Sequence, residues 1–469
     1  MGGMMDMIRI RLRLPAIFLV VMICGGSFAQ GVKLSPLRVS ANKRYFVTGN
    51  GEPFFWLGDT GWLLFVKLNR EETIQYLDNR KENGFNVIQV MVLHDVRRAV
   101  NRYGDSALVN DDVSHPNVTP GNDFTDARQY DFWDHVDFVV DEAAKRGIYL
   151  ALVPVWGTNV KEGWVKPEQA AAYATFLAQR YRNRSNIIWL NGGDIKGAEK
   201  MEVWKTIGNT LRAADPGHLI SFHPRGRSTS SEWFHQEPWL DFNMFQSGHK
   251  DYNQDTVEPR MGEDNWKYVN NDYALKPTKP TLDGEPSYEH IPHGLHDTLA
   301  PLWNDNDVRR YAYWSVFAGG AGFTYGHTAI MQFHNGIGSG AYGAKQKWKD
   351  AMDDPGGRQM HYLKGLMLSE SYLNRVPDQS LIASKQGTRY QYLLATRGDN
   401  YAFIYAYRGQ SFKVRMGKIA GTKLRATWFN PRNGRYRLIG DFSNSGSRAF
   451  NPPGDERDGN DWVLVLKSL

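Results

Sequence analysis

Two carboxylates in this chain stand where an acid and a base could work as a pair. Asp194 closes the run Trp189-Leu190-Asn191-Gly192-Gly193-Asp194, and Glu285 follows the short apolar run that ends at Asp283-Gly284. Cleaving a glycosidic bond needs this equipment: one carboxylic acid to protonate the leaving oxygen, and one carboxylate to attack the sugar or to activate water. A gap of ~5–5.5 Å between the two groups gives retention, and ~6.5–9.5 Å gives inversion. Each acid also has a plainer reading. Asp194 could cap the helix that follows, because Asp is favoured at N-caps. Glu285 precedes Pro286, which biases it toward extended backbone, and it could serve as an ion-pair partner for an arginine.

Other polar and aromatic residues fall at equivalent places. Asp59, His94, Trp156, Asn191, His223, Gln246, His249, Tyr325 and His327 each follow or end an apolar run. With Trp62 and Tyr288 from adjoining turns, they are candidates for contacts to sugar rings and hydroxyls. Asp59 is expected to bind hydroxyls or orient a neighbour rather than do the chemistry. The four histidines of this group come from different runs with no HExxH-type spacing, so no metal site is expected. His290, His293 and His296 are evenly spaced, but Pro292 and Gly294 place them in a loop.

The elements that must position these residues alternate between apolar strand and amphipathic helix. Strands are expected at Phe54–Leu57, Val87–Leu93, Tyr149–Val155, Ile187–Leu190, Leu219–Phe222, Phe242–Phe245, Pro280–Asp283 and Gly322–Tyr325. Helices are expected from Asn69 to Asn83, Phe132 to Arg146, Pro167 to Tyr181, Met201 to Ala214, Val308 to Phe317 and Arg358 to Leu368. Asn69 is a cap with Glu71 and Glu72 in the first turn, where the helix dipole favours them. Helices between strands force a parallel sheet, and eight strands can close. The fold class is therefore α/β, a (β/α)8 barrel over residues 30–375 with a short N-terminal β-cap. Active sites in such barrels lie at the C-terminal ends of the strands, where the candidates above collect. Strands four and seven stand across the barrel from each other, so Asp194 and Glu285 can face one bound sugar. From residue 376 to 469 short strands follow one another without helices, the pattern of a small antiparallel β-sandwich.

Bulk properties narrow the class. The 15 Trp, 23 Tyr and 23 Phe suit a sugar-binding surface as well as a large core. Arg9, Arg11 and Arg13 precede an apolar run from Leu14 to Cys24, and Ser27-Phe28-Ala29 offers small residues for cleavage. Residues 1–29 are expected to be a signal peptide cut after Ala29, giving a secreted or periplasmic protein. A lipoprotein anchor at Cys24 is the rival; the bulky Ile23 ranks it second. Cys24 is the only cysteine, so the mature chain could hold neither a disulfide nor a thiolate site. Net charge is +6, and +4 once residues 1–29 are removed, with no basic run that would suit nucleic acid. The expected partner is an oligo- or polysaccharide; no cofactor, nucleic acid or stable membrane insertion is expected.

Several motifs carry a family resemblance. Phe55-Trp56-Leu57-Gly58-Asp59-Thr60-Gly61-Trp62, Leu68-Asn69-Arg70-Glu71-Glu72 and Gly84-Phe85-Asn86-Val87-Ile88-Gln89 resemble the opening of the apiosidase-like glycoside hydrolases, family 140 and its relatives. Trp189–Asp194 and Asp283-Gly284-Glu285-Pro286-Ser287-Tyr288-Glu289 resemble that family's two catalytic segments. Trp428-Phe429-Asn430-Pro431-Arg432-Asn433-Gly434, Asn451-Pro452-Pro453 and Asp461–Leu466 resemble the small domain often labelled collagen-binding. The resemblance runs over about residues 33–469. It implies a (β/α)8 hydrolase with Asp194 as general acid/base and Glu285 as nucleophile, and a retaining apiosidase acting on the branched pectin rhamnogalacturonan II. It does not imply collagen binding. The commoner barrel glycosidases carry Glu after Asn at the fourth strand. Here Asp194, one methylene shorter, must be offset by backbone position. The alternatives are a non-catalytic carbohydrate-binding protein on the same barrel, or an extracellular-matrix-binding protein suggested by the tail's label alone.

Overall fold

Apolar runs bounded by turns form the first strands. In the computed structural model, which describes Met1, residues 34–256, Glu258 and residues 260–469, β1 (Arg38–Val39), β2 (Phe46–Val47) and β3 (Pro53–Phe54) pair antiparallel as a small cap. The expected signal segment and its Cys24 lie outside the described residues, apart from Met1. Among the described residues no helix is long and apolar enough to cross a membrane.

The barrel strands are β4 (Trp56–Thr60), β5 (Val87–Leu93), β6 (Tyr149–Val155), β7 (Ile187–Ile195), β8 (Ile220–Pro224), β10 (Asn243–Gln246), β11 (Thr281–Asp283) and β12 (Gly322–Tyr325), with a short β9 (Ser228–Thr229) antiparallel to β10. Hydrogen-bonded neighbours run β8-β7-β6-β5-β4-β12-β11-β10-β9, and the barrel strands pair in parallel. The remaining seam, β8 against β10, is drawn together by Asp241 N–H donating to the Ile220 carbonyl at 2.9 Å and Ser221 Oγ donating to the Phe242 carbonyl at 2.6 Å. All seven residues of β5 and of β6 are buried, as strands covered on both faces must be.

Helices cover the outside. Arg70–Glu82 starts with a capping box: Glu72 N–H donates to Asn69 Oδ1 at 2.8 Å and Asn69 N–H to Glu72 Oε2 at 3.3 Å. Phe132–Lys145, Pro167–Tyr181, Met201–Ala214, Asp305–Phe317 and Pro355–Leu368 lie within a few residues of the expected helices. Trp266–Ala274 is a helix the sequence reading did not foresee, because its Asn and Asp residues resemble a loop.

The C-terminal strands are β13 (Val376–Pro377), β14 (Leu394–Arg397), β15 (Tyr401–Ala406), β16 (Phe412–Arg415), β17 (Lys423–Phe429), β18 (Tyr436–Ser443), β19 (Ser447–Phe450) and β20 (Trp462–Ser468). Six form one antiparallel sheet in the order β13-β14-β15-β20-β17-β18, and β16 pairs with β19. Between sheet and ribbon lies a core that includes Ile404, Val414, Trp428, Phe450 and Leu464. The other face of β15 packs on the barrel, with Tyr405 stacked on Tyr313 at 4.8 Å. Arg389–Gln391 forms a 3-10 turn, so β14 starts only at Leu394.

Candidate active site

The fourth barrel strand ends irregularly. Between Gly192 and Ile195 the β7–β8 register shifts, a bulge that carries Asp194. Three successive residues take positive φ: Gly192 at 91°, Gly193 at 112° and Asp194 at 50°. A Cβ on Gly192 would sit 2.6 Å from the His223 carbonyl, and one on Gly193 would sit 2.6 Å from the Trp156 ring. Only glycine satisfies both conditions. Asp194 pays left-handed strain in a strand, the kind of outlier that collects at functional sites. The bulge supplies the backbone displacement that a short carboxylate arm requires.

Asp194 and Glu285 both line one cavity of about 900 Å³ at the C-terminal end of the barrel. Asp194 caps no helix, since Met201–Ala214 is preceded by Lys200. Its carboxyl presents accessible surface to the cavity while protein closes around its other sides. That desolvation, with the negative charge of Glu285 second, raises Asp194 to about 6.

Glu285 pairs with histidines rather than with an arginine. His249 Nε2 lies 3.2 Å from Oε1 in a hydrogen bond, and His223 Nε2 lies 3.2 Å from Oε2 in a close contact off the hydrogen-bonding angle. Burial alone would push the Glu285 carboxyl up. The two imidazoles outweigh it and hold Glu285 at about 2. Next to it, Gln89 Nε2 donates to the Gly284 carbonyl at 2.7 Å, and the Tyr288 hydroxyl accepts from Trp62 Nε1 at 2.9 Å. The Tyr288 hydroxyl is raised far above its ordinary range by burial and then by Glu285.

Of the other expected sugar contacts, Trp62, His94, Trp156, Gln246 and Tyr288 line this cavity. Trp62 and Trp156 pack at 5.3 Å, and the His223 ring meets Trp62 edge-on at 5.2 Å. His223 therefore acts behind the wall, on Glu285 and the indoles.

Besides His223, which was expected to meet sugar, four expectations require correction. Asp59 is fully buried inside β4, where it accepts from the Tyr76 hydroxyl at 2.7 Å, Arg80 Nη1 at 3.3 Å and Thr60 N–H at 2.9 Å. Asn191 donates to the Trp204 carbonyl at 2.7 Å and accepts from Gly192 N–H. The Tyr325 hydroxyl donates to Glu289 Oε2 at 2.6 Å. His327 accepts from Ala329 N–H at Nδ1, which leaves its proton on Nε2, 2.9 Å from Asp354. None of the four lines the cavity, and their polar atoms are spent on the protein. Among the described residues His290, His327 and Asp354 alone bring potential metal-ligating atoms within 4.8 Å of one another. The His327 tautomer just given explains that cluster as hydrogen bonding, because a metal on Nε2 would need the proton moved to Nδ1.

Several lining residues escaped the sequence reading. Tyr342 lies close enough to Glu285 and Asp194 that both, after burial, raise its hydroxyl. It sits in the glycine-rich stretch Gly336–Gly343, where an aromatic among glycines was the available signal. Lys67, Arg102, Arg225, Arg227 and Lys250 also line the cavity. Of these only Arg227 has a carboxylate partner within 4 Å among the described residues, Asp255 at 2.7 Å.

A carboxyl whose hold on its proton is strengthened beside a carboxylate whose hold is weakened, in a cavity at the top of a (β/α)8 barrel walled by tryptophans, defines a glycoside hydrolase. Residues 40–374 match the family model described as "Apiosidase-like, catalytic domain", and the chain belongs to that family. Residues 376–467 match a model described as "Putative collagen-binding domain of a collagenase". A solved structure called a glycoside hydrolase is 47% identical, with 92% of this chain and 97% of that one covered and a TM-score of 0.88. A glycoside hydrolase family 5 structure from Bacteroides vulgatus is 45% identical over 92% of this chain and 93% of its own, with a TM-score of 0.87. A second Bacteroides vulgatus structure, 13% identical with a TM-score of 0.64 over 94% of this chain and 83% of its own, shares the fold. No curated protein matches the chain.

Proposed function

We propose that the protein is an exported, retaining glycosidase that removes apiosyl branches from an acidic plant cell-wall glycan of the rhamnogalacturonan II type. The observation that carries the mechanism is the opposed displacement of Asp194 and Glu285, up to about 6 and down to about 2. Asp194 then enters the reaction as the acid. Its proton goes to the glycosidic oxygen as that bond breaks, while Glu285 attacks the anomeric carbon to form a glycosyl-enzyme. Asp194, now ionised, takes a proton from water, which displaces Glu285 and restores both groups. The substrate class is supported by the cavity's excess of cations: Lys67, Arg102, Arg225 and Lys250 face it without carboxylate partners among the described residues. Cations so placed suit the carboxylates of a uronate-rich backbone. Family membership supports the apiosyl specificity, and the Arg9–Ala29 pattern supports export.

The test is hydrolysis of rhamnogalacturonan II beside a panel of nitrophenyl glycosides, with the first-formed anomer followed by NMR. Free apiose in the retained configuration is the expected product. Release of another sugar would replace the substrate, and inversion would replace the role of Glu285. N-terminal sequencing of exported protein should begin at Gln30.

A further inference from the structure

The loop between β10 and the helix Trp266–Ala274 forms part of the cavity wall. Its first residues, Gly248, His249 and Lys250, line the cavity, and His249 holds Glu285. Deeper in the loop, Asp255 accepts from Arg227 Nη1 and from Gly262 N–H, both at 2.7 Å, which fixes a cavity-lining arginine to the loop. The next residue, Glu263, is buried and gathers three donors. Tyr252 N–H reaches Oε1 at 3.1 Å, Arg310 Nη2 reaches Oε2 at 2.5 Å, and the Tyr390 hydroxyl lies 3.0 Å from each oxygen.

Arg310 belongs to the helix Asp305–Phe317, and Tyr390 belongs to the C-terminal domain. The guanidinium sits 4.8 Å from the Tyr390 ring and 5.4 Å from that of Tyr407, a second residue of that domain. Its Nε and Nη1 have no hydrogen-bond partner, so its burial is compensated by Glu263, by Asp307 at 3.4 Å, and by the rings around it, Tyr311 and Trp314 of its own helix together with Tyr390 and Tyr407. One face of the C-terminal domain thus closes a buried cluster whose other members fix the active-site loop.

We infer that Tyr390 is a positioning residue: through Glu263 and Arg310 the C-terminal domain braces the loop that aims Arg227 and Lys250 into the cavity, and so sets affinity for the glycan. The kinetic part rests on the carboxylate pair and the substrate class proposed above; the bracing does not. Tyr390→Phe removes the hydroxyl and keeps the ring over Arg310. In the full chain, hydrogen–deuterium exchange should rise about tenfold or more across residues 247–265, since loss of a charge-assisted bond opens the segment it holds. On rhamnogalacturonan II, KM should rise about tenfold with kcat within about twofold, because Arg227 and Lys250 touch bound glycan rather than the reacting atoms. Tyr405→Phe is the control, at the same interface but bonded to Asp461 at 3.1 Å; it should lower Tm and leave loop exchange and KM unchanged. Unchanged exchange in Tyr390→Phe overturns the brace, and raised exchange with wild-type KM overturns its service to the site. Should Tyr390→Phe fail to fold, Glu263→Gln, which keeps the shape and loses the charge, carries the same expectations and the same two refutations. An absence of turnover in the wild type would overturn the proposed substrate, while the exchange result would still decide the brace.

Discussion

Two sectors of the barrel's C-terminal end carry similar residues and have opposite fates. At the C-terminal ends of β12 and β4, Tyr325, His327 just beyond it, and Asp59 are sealed, and each polar atom meets a protein partner. Around the rest of the rim, at the ends of β7, β8, β10 and β11, Asp194, His223, His249 and Glu285 face or back the cavity, and several of their polar atoms lack one. Location at a strand's C-terminal end therefore does not make a residue functional. What separates the sectors is whether the hydrogen-bonding capacity is already consumed. Asp59 has an arginine, a tyrosine and a backbone amide; Glu285 has two imidazoles and an opening.

The comparison can be broken most sharply at the open sector. Glu285→Gln should reduce kcat by more than about 10⁴-fold with unchanged circular dichroism, as loss of a nucleophile does elsewhere. Asp194→Asn should cost about 10²–10⁴-fold, the range of general acid–base catalysis. Near-normal turnover in either variant would remove that residue from the pair.

A pH profile sharpens it further. Asp194 must be protonated in the first step, and its acid form is lost as pH rises through about 6. Glu285 must be ionised, and is lost only as pH falls toward about 2. The value of kcat/KM should thus fall about tenfold per pH unit above 6 while holding in mild acid. Replacing His249 by Gln removes a group that holds Glu285 down, so an acid limb should climb into the measurable range. An optimum at pH 8 would contradict the assignment of Asp194 as the acid.

Smaller effects on activity are expected from the backbone and from the sealed sector. Gly193→Ala places a methyl against Trp156 at a φ of 112°, and should lower kcat about tenfold with a modest loss of Tm. Asp59→Asn should leave kcat within about twofold while destabilising the fold by about 3–5 kcal/mol, because Arg80 would lose its buried partner. Calorimetry and turnover on one preparation separate the two. Loss of activity without loss of stability in Asp59→Asn would erase the contrast between the sectors.

The barrel was readable because periodicity, caps and stops agree locally. Asn69 with Glu72, and Pro167 at the start of its helix, fix boundaries without tertiary help. The C-terminal ribbon was only partly readable, since Ser447–Phe450 is polar and mostly exposed and has a strand's shape only through its pairing with Phe412–Arg415. At the site, residue types pointed to the correct end of the barrel, but not to which side chains turn inward. Asp59 was misplaced because Arg80, its partner, lies 21 positions away on the next helix. Tyr342 and most of the lining cations went unseen because loops carry no periodicity to aim them, and the helix Leu64–Lys67 that carries Lys67 is too short to show one.

The bulge at Gly192–Ile195 also limits how this catalytic design can change. Lengthening Asp194 to Glu, as in the commoner barrel hydrolases, adds a methylene to a carboxyl that the backbone has already carried forward. Straightening the strand by deleting one glycine would withdraw a short carboxyl from its target and turn the following side chains to the opposite face. Each change alone is expected to misplace the proton donor, so the two designs are separated by a valley that single steps do not cross. Gly192, Gly193 and Asp194 should accordingly be inherited, or replaced, as one unit.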